Sequence, residues 1–379
     1  MFFSGRVTVA ALLFAADAYS TSTISQRDKK TTTCDQYSVS GTNQGVFQNY
    51  QFWDFRNIVD SVQNGDAYDA DQPPLISATQ DEGQEGVTSP YISSFEAGGF
   101  WAIRRGIRNP ESTVPMTYSA QNFYVSKDSG DDNSTHLTLR TSRNSDFQSV
   151  AALKTTNDVL YASLRVRAKF IPSNDSTEIE TGAVFGWFTY KSDTQESDIE
   201  ILTVEDPNQV HFTNQPSSAE SDGARKVATL PNGLTRNEWV DYRLDWFPNQ
   251  SLWYINNVLQ FESSDSVPKV GSALNLNLWS NGGTFSKTMS VGSEVQVAVQ
   301  WMEVAYNLSD TTTASQTNKS KKAVTCMVDG VSVQGQPEVA KKNSAAKRLS
   351  TGTALLSLDP HIVLTLICSL SCVTVSQML

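Results

Sequence analysis

The chain has 379 residues, and its 39% hydrophobic content is typical of a globular protein with a sizeable core. Its formal net charge of −11 argues against binding nucleic acid or an anionic membrane through a basic surface. A neutral or cationic partner fits this charge better.

The N-terminus has the pattern of a secretory signal. Residues 1–18 contain a lone Arg6, then an apolar stretch and a small-residue exit that ends at Ala18. A polar Ser/Thr-rich tract follows at once, which disfavours the alternative of a buried N-terminal helix. We therefore expect secretion, cleavage near Ala18 and a flexible lead over residues 19–44.

The central part of the chain, residues 45–308, is dominated by strand patterns and has almost no helical periodicity. Segments rich in β-branched and aromatic residues recur at 122–126, 136–140, 161–170, 183–190, 196–204, 210–214, 239–247, 252–261, 274–279 and 295–306. Asn256 and Asn257 predict a tight hairpin turn, because Asn tolerates positive φ. Many strands with short turns predict an all-β fold, a two-sheet antiparallel β-sandwich.

The C-terminal region changes in composition. Residues 309–345 are rich in Ser, Thr and Lys, and we expect a tail that spaces the domain from a surface. Small residues at 343–346, a polar stretch and an apolar end follow the pattern of glycosylphosphatidylinositol attachment, with 346–379 as the removed propeptide. Localisation is then extracellular, at a cell surface or cell wall.

Cysteines and sequons agree with secretion. Cys34 and Cys326 flank nearly the whole domain, and we expect a disulfide between them, because an oxidising compartment favours it. Neither has the spacing of a zinc ligand, so no metal site is predicted. Glycosylation sequons begin at Asn133, Asn174, Asn249, Asn307 and Asn318.

The most informative stretch is residues 196–200, Glu-Ser-Asp-Ile-Glu, within a strand pattern. Side chains alternate across a strand, so Glu196, Asp198 and Glu200 share one face. No Lys or Arg lies between positions 191 and 225 to neutralise this row. Since like charges this close cannot all ionise at ordinary cost, we expect one carboxyl pKa to be raised.

Unequal carboxylates side by side are what glycoside hydrolysis requires. The Cα atoms of Glu196 and Glu200 lie about 13 Å apart on a strand, and side chains that lean together leave roughly 5 Å between the carboxyls, the separation of a retaining pair. On spacing alone, a solvated outer face or a calcium site remains an alternative. Ser197 has no His/Asp partner pattern, which disfavours a serine hydrolase.

The order of the segments resembles glycoside hydrolase family 16, the β-jelly-roll β-glucanases and transglycosylases. The family's Glu-x-Asp-x-Glu strand is matched by residues 196–200, with the regular spacing rather than an extra bulged residue. Later segments follow in the family's order at 210–215, 238–246, 251–257, 274–283 and 299–306. The resemblance covers about 160–306, with 51–55 as a looser match upstream, and implies a concanavalin A-like jelly roll.

By this resemblance, Glu196 is the nucleophile, Glu200 is the general acid/base and Asp198 tunes the nucleophile. Substrate contacts are assigned to aromatic platforms, to amides that bind hydroxyls and to one cleft histidine. These residues are Trp187, Tyr190, His211, Asn214, Trp279 and Asn281. Core packing is the alternative for both Trp residues, and a structural role is the alternative for His211.

These features predict a secreted, retaining hydrolase of β-glucan-type cell-wall polysaccharide. A cell-wall transglycosylase that uses the same glycosyl-enzyme is one alternative, and a non-catalytic lectin-like protein is another. We expect a monomer that needs no cofactor and binds no nucleic acid. The Gln-Glu-Ser start of the motif replaces the family's common Asp-Glu-Ile or Asp-Glu-Leu, which leaves the substrate open.

Overall fold

The computed structural model describes residues 34–40, 45–58, 67–68, 86–108, 112–128, 131–172, 178–218, 223–309 and 323–340. The predicted signal at 1–18 and the predicted propeptide at 346–379 lie outside these residues. So do the sequons at Asn174 and Asn318.

The described residues form twenty-one strands and one α-helix, α1, Pro90–Ala97. The strands are β1 Gln36–Val39, β2 Gly45–Phe47, β3 Asn49–Asp54, β4 Trp101–Ile103, β5 Gly106–Arg108, β6 Met116–Tyr118, β7 Phe123–Asp128, β8 Asp131–Arg143, β9 Gln148–Thr155, β10 Val159–Ile171, β11 Val184–Ser192, β12 Gln195–Leu202, β13 Gln209–Gln215, β14 Arg225–Thr229, β15 Val240–Phe247, β16 Gln250–Ile255, β17 Val258–Ser263, β18 Ala273–Trp279, β19 Glu294–Leu308, β20 Thr325–Met327 and β21 Glu338–Val339.

Two sheets face each other. The front sheet has the order β14-β13-β12-β11-β18-β9-β4, and all of its pairings are antiparallel. The back sheet runs β17-β16-β15-β10-β19, and β19 then pairs with β3 and with β8, which in turn pairs with β7. Because β9 also pairs with β8 and β6, the two sheets join at one edge into a single curved ladder.

The core lies between the sheets and follows from alternation along each strand. The inward residues of the front sheet, such as Ile199, Phe212 and Leu276, are fully buried against inward residues of the back sheet such as Leu164 and Leu244. Burying these apolar side chains is the main stabilising force for a sandwich. The predicted all-β, two-sheet jelly roll is confirmed.

Turn chemistry agrees with the predicted hairpin. Asn256 and Asn257 have φ values of 47° and 63° and join β16 to β17. Helix α1 was not predicted, although Ser89 caps it through a hydrogen bond from the Ile92 amide and Pro90 occupies its first turn. Within the described ranges, no helix is long and apolar enough to cross a membrane.

A small sheet of order β2-β1-β20-β21 brings the two ends of the described chain together, and we call it the clasp. Its disulfide joins Cys34 to Cys326 with an S–S distance of 2.01 Å, as predicted. Strand β1 lies in the predicted lead, and β20 and β21 lie in the predicted tail. Residues 309–345 were predicted to be a tail that spaces the domain from a surface. This is wrong for 323–340, where Cys326 and Val328 are buried.

Candidate active site

Strand β12 carries the three acidic residues in an unbroken register. Glu196, Asp198 and Glu200 lie opposite Tyr190, Phe188 and Gly186 of β11, with no register shift between them. On the other side, the pairing with β13 is equally regular over these residues. The predicted bulge-free strand is confirmed, and its alternation turns Ile199 into the core and all three acids to the outer face of the front sheet.

That outer face is polar and open around the acids. Next to β11, strand β18 brings Asn275 and Asn277 into line with Phe188 and Gly186. Gly186 has no side chain, and a Cβ there would lie 2.6 Å from Oδ1 of Asn277. The missing side chain therefore lets the amide of Asn277 lie close to the backbone of Gly186, which is opposite Glu200. We call this acid-bearing face the cleft.

Burial perturbs all three carboxyls of the cleft. Burial is the largest cause in each case, and it raises the pKa of Glu196 to about 7 and that of Glu200 to about 8. It also raises the pKa of Asp198, which is 3% exposed, well above its usual value, with the charges of Glu196 and Glu200 adding to the effect. The expected rise is confirmed, but it affects three groups, and burial contributes more than like charge.

The surroundings of Glu196 and Glu200 differ. Burial and the charge of Asp193 raise the pKa of Glu196, whereas its hydrogen bond with Asp198 and the Arg108 cation lower it. Burial and the charge of Glu196 both raise the pKa of Glu200. Glu196 therefore has groups that favour its ionised form and Glu200 has groups that favour its protonated form, as unequal carboxyls in double displacement require.

Two of the predicted contacts lie beside the acids. His211 pairs with Glu200 across the β12–β13 ladder, and its Nε2 lies 2.6 Å from Oε2 of Glu205. Tyr190 is opposite Glu196, is 39% exposed and donates its hydroxyl to Asp193 at 2.9 Å. Both residues therefore face the cleft, as predicted.

Trp279 ends β18 at the border of the cleft, where it is partly exposed. Its ring stacks with that of Phe285 at 6.5 Å, and the Phe285 ring also meets the His211 ring edge-on at 6.1 Å. Asn281 is partly exposed in the loop after β18, and its contact with substrate stays a prediction. Its Oδ1 accepts hydrogen bonds from the Gly283 amide and the Ser286 hydroxyl, so it shapes the loop that carries Phe285.

Two predicted substrate contacts lie on the wrong face of the sheet. Trp187 is 0% exposed and packs on Trp101 in the core, so its assignment as a sugar platform is wrong. Asn214 is also 0% exposed, accepts a hydrogen bond from Ser197 and donates one to the Asp265 carbonyl. Trp187 pairs with Ile199 and Asn214 pairs with Ser197, so both side chains lie on the core side of the sheet, opposite the acids.

Sequence reasoning also missed several residues of the cleft. Asn277 is 8% exposed, and its Oδ1 is buried without a hydrogen-bond partner among the described residues. Such an acceptor suits a sugar hydroxyl. The sequence did contain a signal for Asn277, because it is two residues before Trp279 on β18 and alternation puts both on the same face. Phe285 and Gly186 had no signal of their own, because their positions depend on pairing between distant strands.

Among the residues that the structure describes, no group of three or more His, Cys, Asp or Glu side chains is arranged to hold a metal ion.

Of the sequons within the described ranges, Asn249 is exposed in the β15–β16 turn, and Asn307 accepts a hydrogen bond from the Gln48 amide. Asn133 lies in β8. Glycosylation of these residues stays a prediction.

The chain has sequence similarity to known proteins. The sequence model described as "Glycosyl hydrolases family 16" matches residues 111–303, which is just over half of the chain. A beta-glucanase of Bacillus amyloliquefaciens is 31% identical over 108 residues, covering 27% of this chain and 44% of that protein. One of Paenibacillus polymyxa is 26% identical over 155 residues, covering 40% and 60%.

The chain also resembles solved structures, at lower sequence identity than the relatives above. The beta-glucanase of Bacillus licheniformis has a TM-score of 0.43 at 20% identity, covering 55% of this chain and 92% of that one. A lichenase from a mouse hindgut metagenome has a TM-score of 0.45 at 17% identity, covering 69% and 99%.

An extended family match that includes the catalytic strand defines the class of this protein. The chain belongs to glycosyl hydrolases family 16. It spans less than half the length of the Bacillus amyloliquefaciens relative that it matches.

Proposed function

We propose that the protein is a retaining glycoside hydrolase that cleaves β-glucan-type polysaccharide by double displacement. Glu196 attacks the anomeric carbon while Glu200 protonates the leaving oxygen. Glu200 then takes a proton from water, which releases the sugar from Glu196. Asp198 donates a hydrogen bond to Glu196 throughout and so holds its carboxylate in place.

One observation carries this proposal. The bulge-free β12 sets three carboxyls on one face, and no ion pair among the residues that the structure describes compensates their burial. Unpaired buried acids lower stability, so their presence in a cleft favours a catalytic role. The same observation disfavours the lectin alternative, since binding sugar does not require carboxyls with raised pKa values. Beta-glucanases among the matched relatives suggest the substrate class.

Hydrolysis of defined oligosaccharides tests the proposal. The full-length protein is incubated with β-1,3-linked and mixed-linkage oligosaccharides, and NMR follows the anomeric configuration of the first product. We expect shorter products with retained configuration, and kcat/KM with an acidic limb near pH 7 from Glu196 and an alkaline limb near pH 8 from Glu200. Binding without products contradicts the proposal, and an inverted first product contradicts the two-step mechanism.

The same reaction intermediate permits transfer to a sugar, and one surface favours this second candidate. Phe285 is 43% exposed beside Trp279, and Val227, opposite His211 on β14, is 42% exposed. These apolar groups lie on the Glu200 side of the cleft, where an acceptor must bind. A sugar ring held there competes with water for the intermediate, because sugars stack on aromatic faces.

Chain lengthening separates transfer from hydrolysis. One oligosaccharide of defined length is supplied at increasing concentration, and mass spectrometry measures the products. Products longer than the starting chain establish transfer, and we expect Phe285→Ala to reduce them relative to shorter products. If shorter products alone form at every concentration, the protein is a hydrolase in the strict sense.

We also propose that the protein is secreted and glycosylated and that it is held at a cell surface through a lipid anchor. The disulfide between Cys34 and Cys326 supports an oxidising compartment. Mass spectrometry of the mature protein tests these points. An intact N-terminus argues against signal cleavage, and recovery of residues 346–379 argues against the anchor.

A further inference from the structure

A group of basic residues lies at one edge of the cleft, on the same outer face as the acids. Lys154 of β9 pairs with Asn275, which is in line with Phe188 and Asp198. Arg104 follows β4, and its amide bonds to the carbonyl of Ala152. Since Leu153, Trp101 and Ile103 face the core, alternation turns Lys154 and Arg104 to the outer face.

Both arginines of this group contact the ring of Tyr118. The guanidinium of Arg104 lies 4.6 Å from the centroid of the Tyr118 ring. That of Arg108 lies 5.8 Å from the same ring and 5.7 Å from the ring of Trp279. Cation–π contacts of this kind restrict a guanidinium without using its N–H donors. The donors are therefore left for another partner.

Carboxylates do not supply that partner within the described ranges. There, Arg104, Arg108 and Lys154 make no ion pair and no side-chain hydrogen bond. Arg105 shows the contrast, because both its terminal nitrogens bond to Glu96 at 2.8 and 2.9 Å. Three neighbouring cations that make no ion pair within these ranges thus lie together in a strongly acidic protein, and Arg108 acts on Glu196 only through its field.

The charge of the cleft is thus polarised across the front sheet. Acids lie on β12, neutral amides on β18, and cations on β9 and beyond. Three strand spacings of ~4.8 Å place Lys154 roughly 14 Å from Asp198, beyond the sugar that reacts. Arg104 and Arg108 precede residues 111–303, the part that matches the family, whereas Tyr118 and Lys154 lie within it.

We propose that Arg104, Arg108 and Lys154, around the ring of Tyr118, form a subsite for an anionic substituent on the sugar polymer. The fork of a guanidinium matches a carboxylate or a sulfate ester, which share two or more coplanar oxygen acceptors. Burial raises the pKa of Asp198 and of Glu200, which reduces the negative charge that the acids of β12 present to such a polymer. The net charge of −11 predicted a neutral or cationic partner. That charge is a sum over the whole chain, whereas the charge at this edge of the cleft is positive.

This inference rests on the proposed function, because it concerns the same cleft, and it names the substrate as a substituted polysaccharide. Binding is measured by calorimetry on the full-length Glu196→Gln protein, which does not consume the ligand. Three ligands share one β-glucan oligosaccharide chain, which is neutral, carboxylated at C6 or sulfated. We expect at least one charged form to bind 10-fold or more tightly than the neutral form at low salt, with the advantage shrinking as salt increases.

Matched variants locate the effect. Adding Arg104→Gln and Arg108→Gln is expected to reduce the advantage of the charged ligand to about 2-fold or less, and to leave binding of the neutral ligand within about 3-fold. The control adds Arg225→Gln and Lys226→Gln, which removes the same charge from β14 at the opposite edge of the front sheet. It is expected to keep the advantage. Circular dichroism checks that each variant is folded.

The outcomes are distinct. Equal binding of all three ligands overturns the subsite, as does an equal loss of the advantage in both pairs of variants, which shows non-specific attraction. The carboxylated and sulfated arms identify which anion is bound. If the wild type does not cleave any β-glucan while the charged ligand still binds through the two arginines, the proposed hydrolysis fails and the subsite stands.

Discussion

Two buried groups of charged residues, one on each sheet, differ in how their charges are compensated. In the cleft on the front sheet, burial raises the pKa of Glu196, Asp198 and Glu200, and no cation is hydrogen-bonded to them among the described residues. Arg108 acts on Glu196 only through its field. These acids therefore carry the cost of their burial uncompensated.

Under the clasp on the back sheet, acids and cations pair closely. Arg243 bonds to Asp245 at 2.6 and 2.8 Å, and Arg165 lies 2.7 Å from Asp329 and 3.3 Å from Glu303. Burial alone would raise the pKa of Asp329, but Arg165 and Arg243 outweigh it, so that its pKa is lowered. This group joins β10, β15 and β19 to the clasp.

The comparison shows two outcomes of burial. Under the clasp, Arg165 and Arg243 outweigh burial at Asp329, and these ion pairs hold the clasp in position. At Glu303, burial still raises the pKa although Arg165 lowers it. Unpaired acids keep pKa values near neutrality and can exchange protons during a reaction. The following predictions test this difference with acid-to-amide substitutions in each group.

The largest effect is expected from Glu196→Gln in the cleft. The amide cannot form the glycosyl-enzyme, so kcat/KM for an oligosaccharide should fall at least roughly 10³-fold. Unfolding by urea should show a stability equal to or above that of the wild type near pH 8, because an uncompensated buried charge is removed. The matched control is Glu262→Gln, which changes an exposed acid on β17. Retained activity in Glu196→Gln would place the nucleophile elsewhere.

The opposite pattern is expected from Asp245→Asn under the clasp. Asp245 is 0% exposed and accepts hydrogen bonds from Arg243 and Ser163. Its loss leaves a buried guanidinium without its closest partner, and the free energy of unfolding should fall by about 2–4 kcal/mol. Kinetics per folded molecule should be unchanged. A stable variant with impaired kcat would show that the two groups are coupled rather than separate.

The sequence predicted the cleft better than the clasp for a physical reason. Alternation along one strand is local information, so Glu196, Asp198 and Glu200 could be placed on one face without knowledge of any neighbour. Trp187 and Tyr190 are three residues apart on β11, so alternation allows only one of them to face the acids, and the register between β11 and β12 decides that it is Tyr190. Arg243 and Asp329 meet only after residues far apart in the chain pair, and no local pattern near residues 323–340 indicates that contact.

The third prediction concerns Glu200 and pH. Its pKa is about 8 in the folded protein, above the usual value of 4.5, so folding favours the protonated form. Below pH 4.5 both states are protonated, and burial of this group costs nothing extra. The penalty grows as pH increases toward 8 and is complete above it. Glu200→Gln removes the penalty and should stabilise the protein by about 1–3 kcal/mol at pH 9.

Urea unfolding at pH 4 and pH 9 measures this difference. The gain should be near zero at pH 4, and Glu262→Gln should show no comparable dependence on pH. The same gain at both pH values would indicate a packing effect instead of a titration. A gain confined to pH 4 would reverse the sign and exclude a raised pKa for Glu200.

The smallest effect is expected at Gly186, which tests the close approach of the Asn277 amide opposite Glu200. A Cβ at this position would lie 2.6 Å from Oδ1 of Asn277 and 3.3 Å from the Phe188 ring, so Gly186→Ala must displace the amide of Asn277. Substrate binding should weaken by about 1 kcal/mol, measured as KM or by calorimetry, if that amide contacts a sugar hydroxyl.

A double-mutant cycle identifies the cause. If Gly186→Ala acts by moving Asn277, then Asn277→Ala should produce a similar loss, and the double variant should be little worse than either single variant. Additive losses would mean that the methyl group obstructs the substrate directly. Asn275→Ala provides the comparison on the same strand, because the Nδ2 of Asn275 is engaged by the Ala273 carbonyl at 3.0 Å and it lies opposite Phe188 rather than a glycine. If Asn277→Ala weakens binding and Asn275→Ala does not, the unpartnered Oδ1 of Asn277 binds substrate. An uncompensated polar atom of the front sheet would then have a role in function, as its uncompensated acids do.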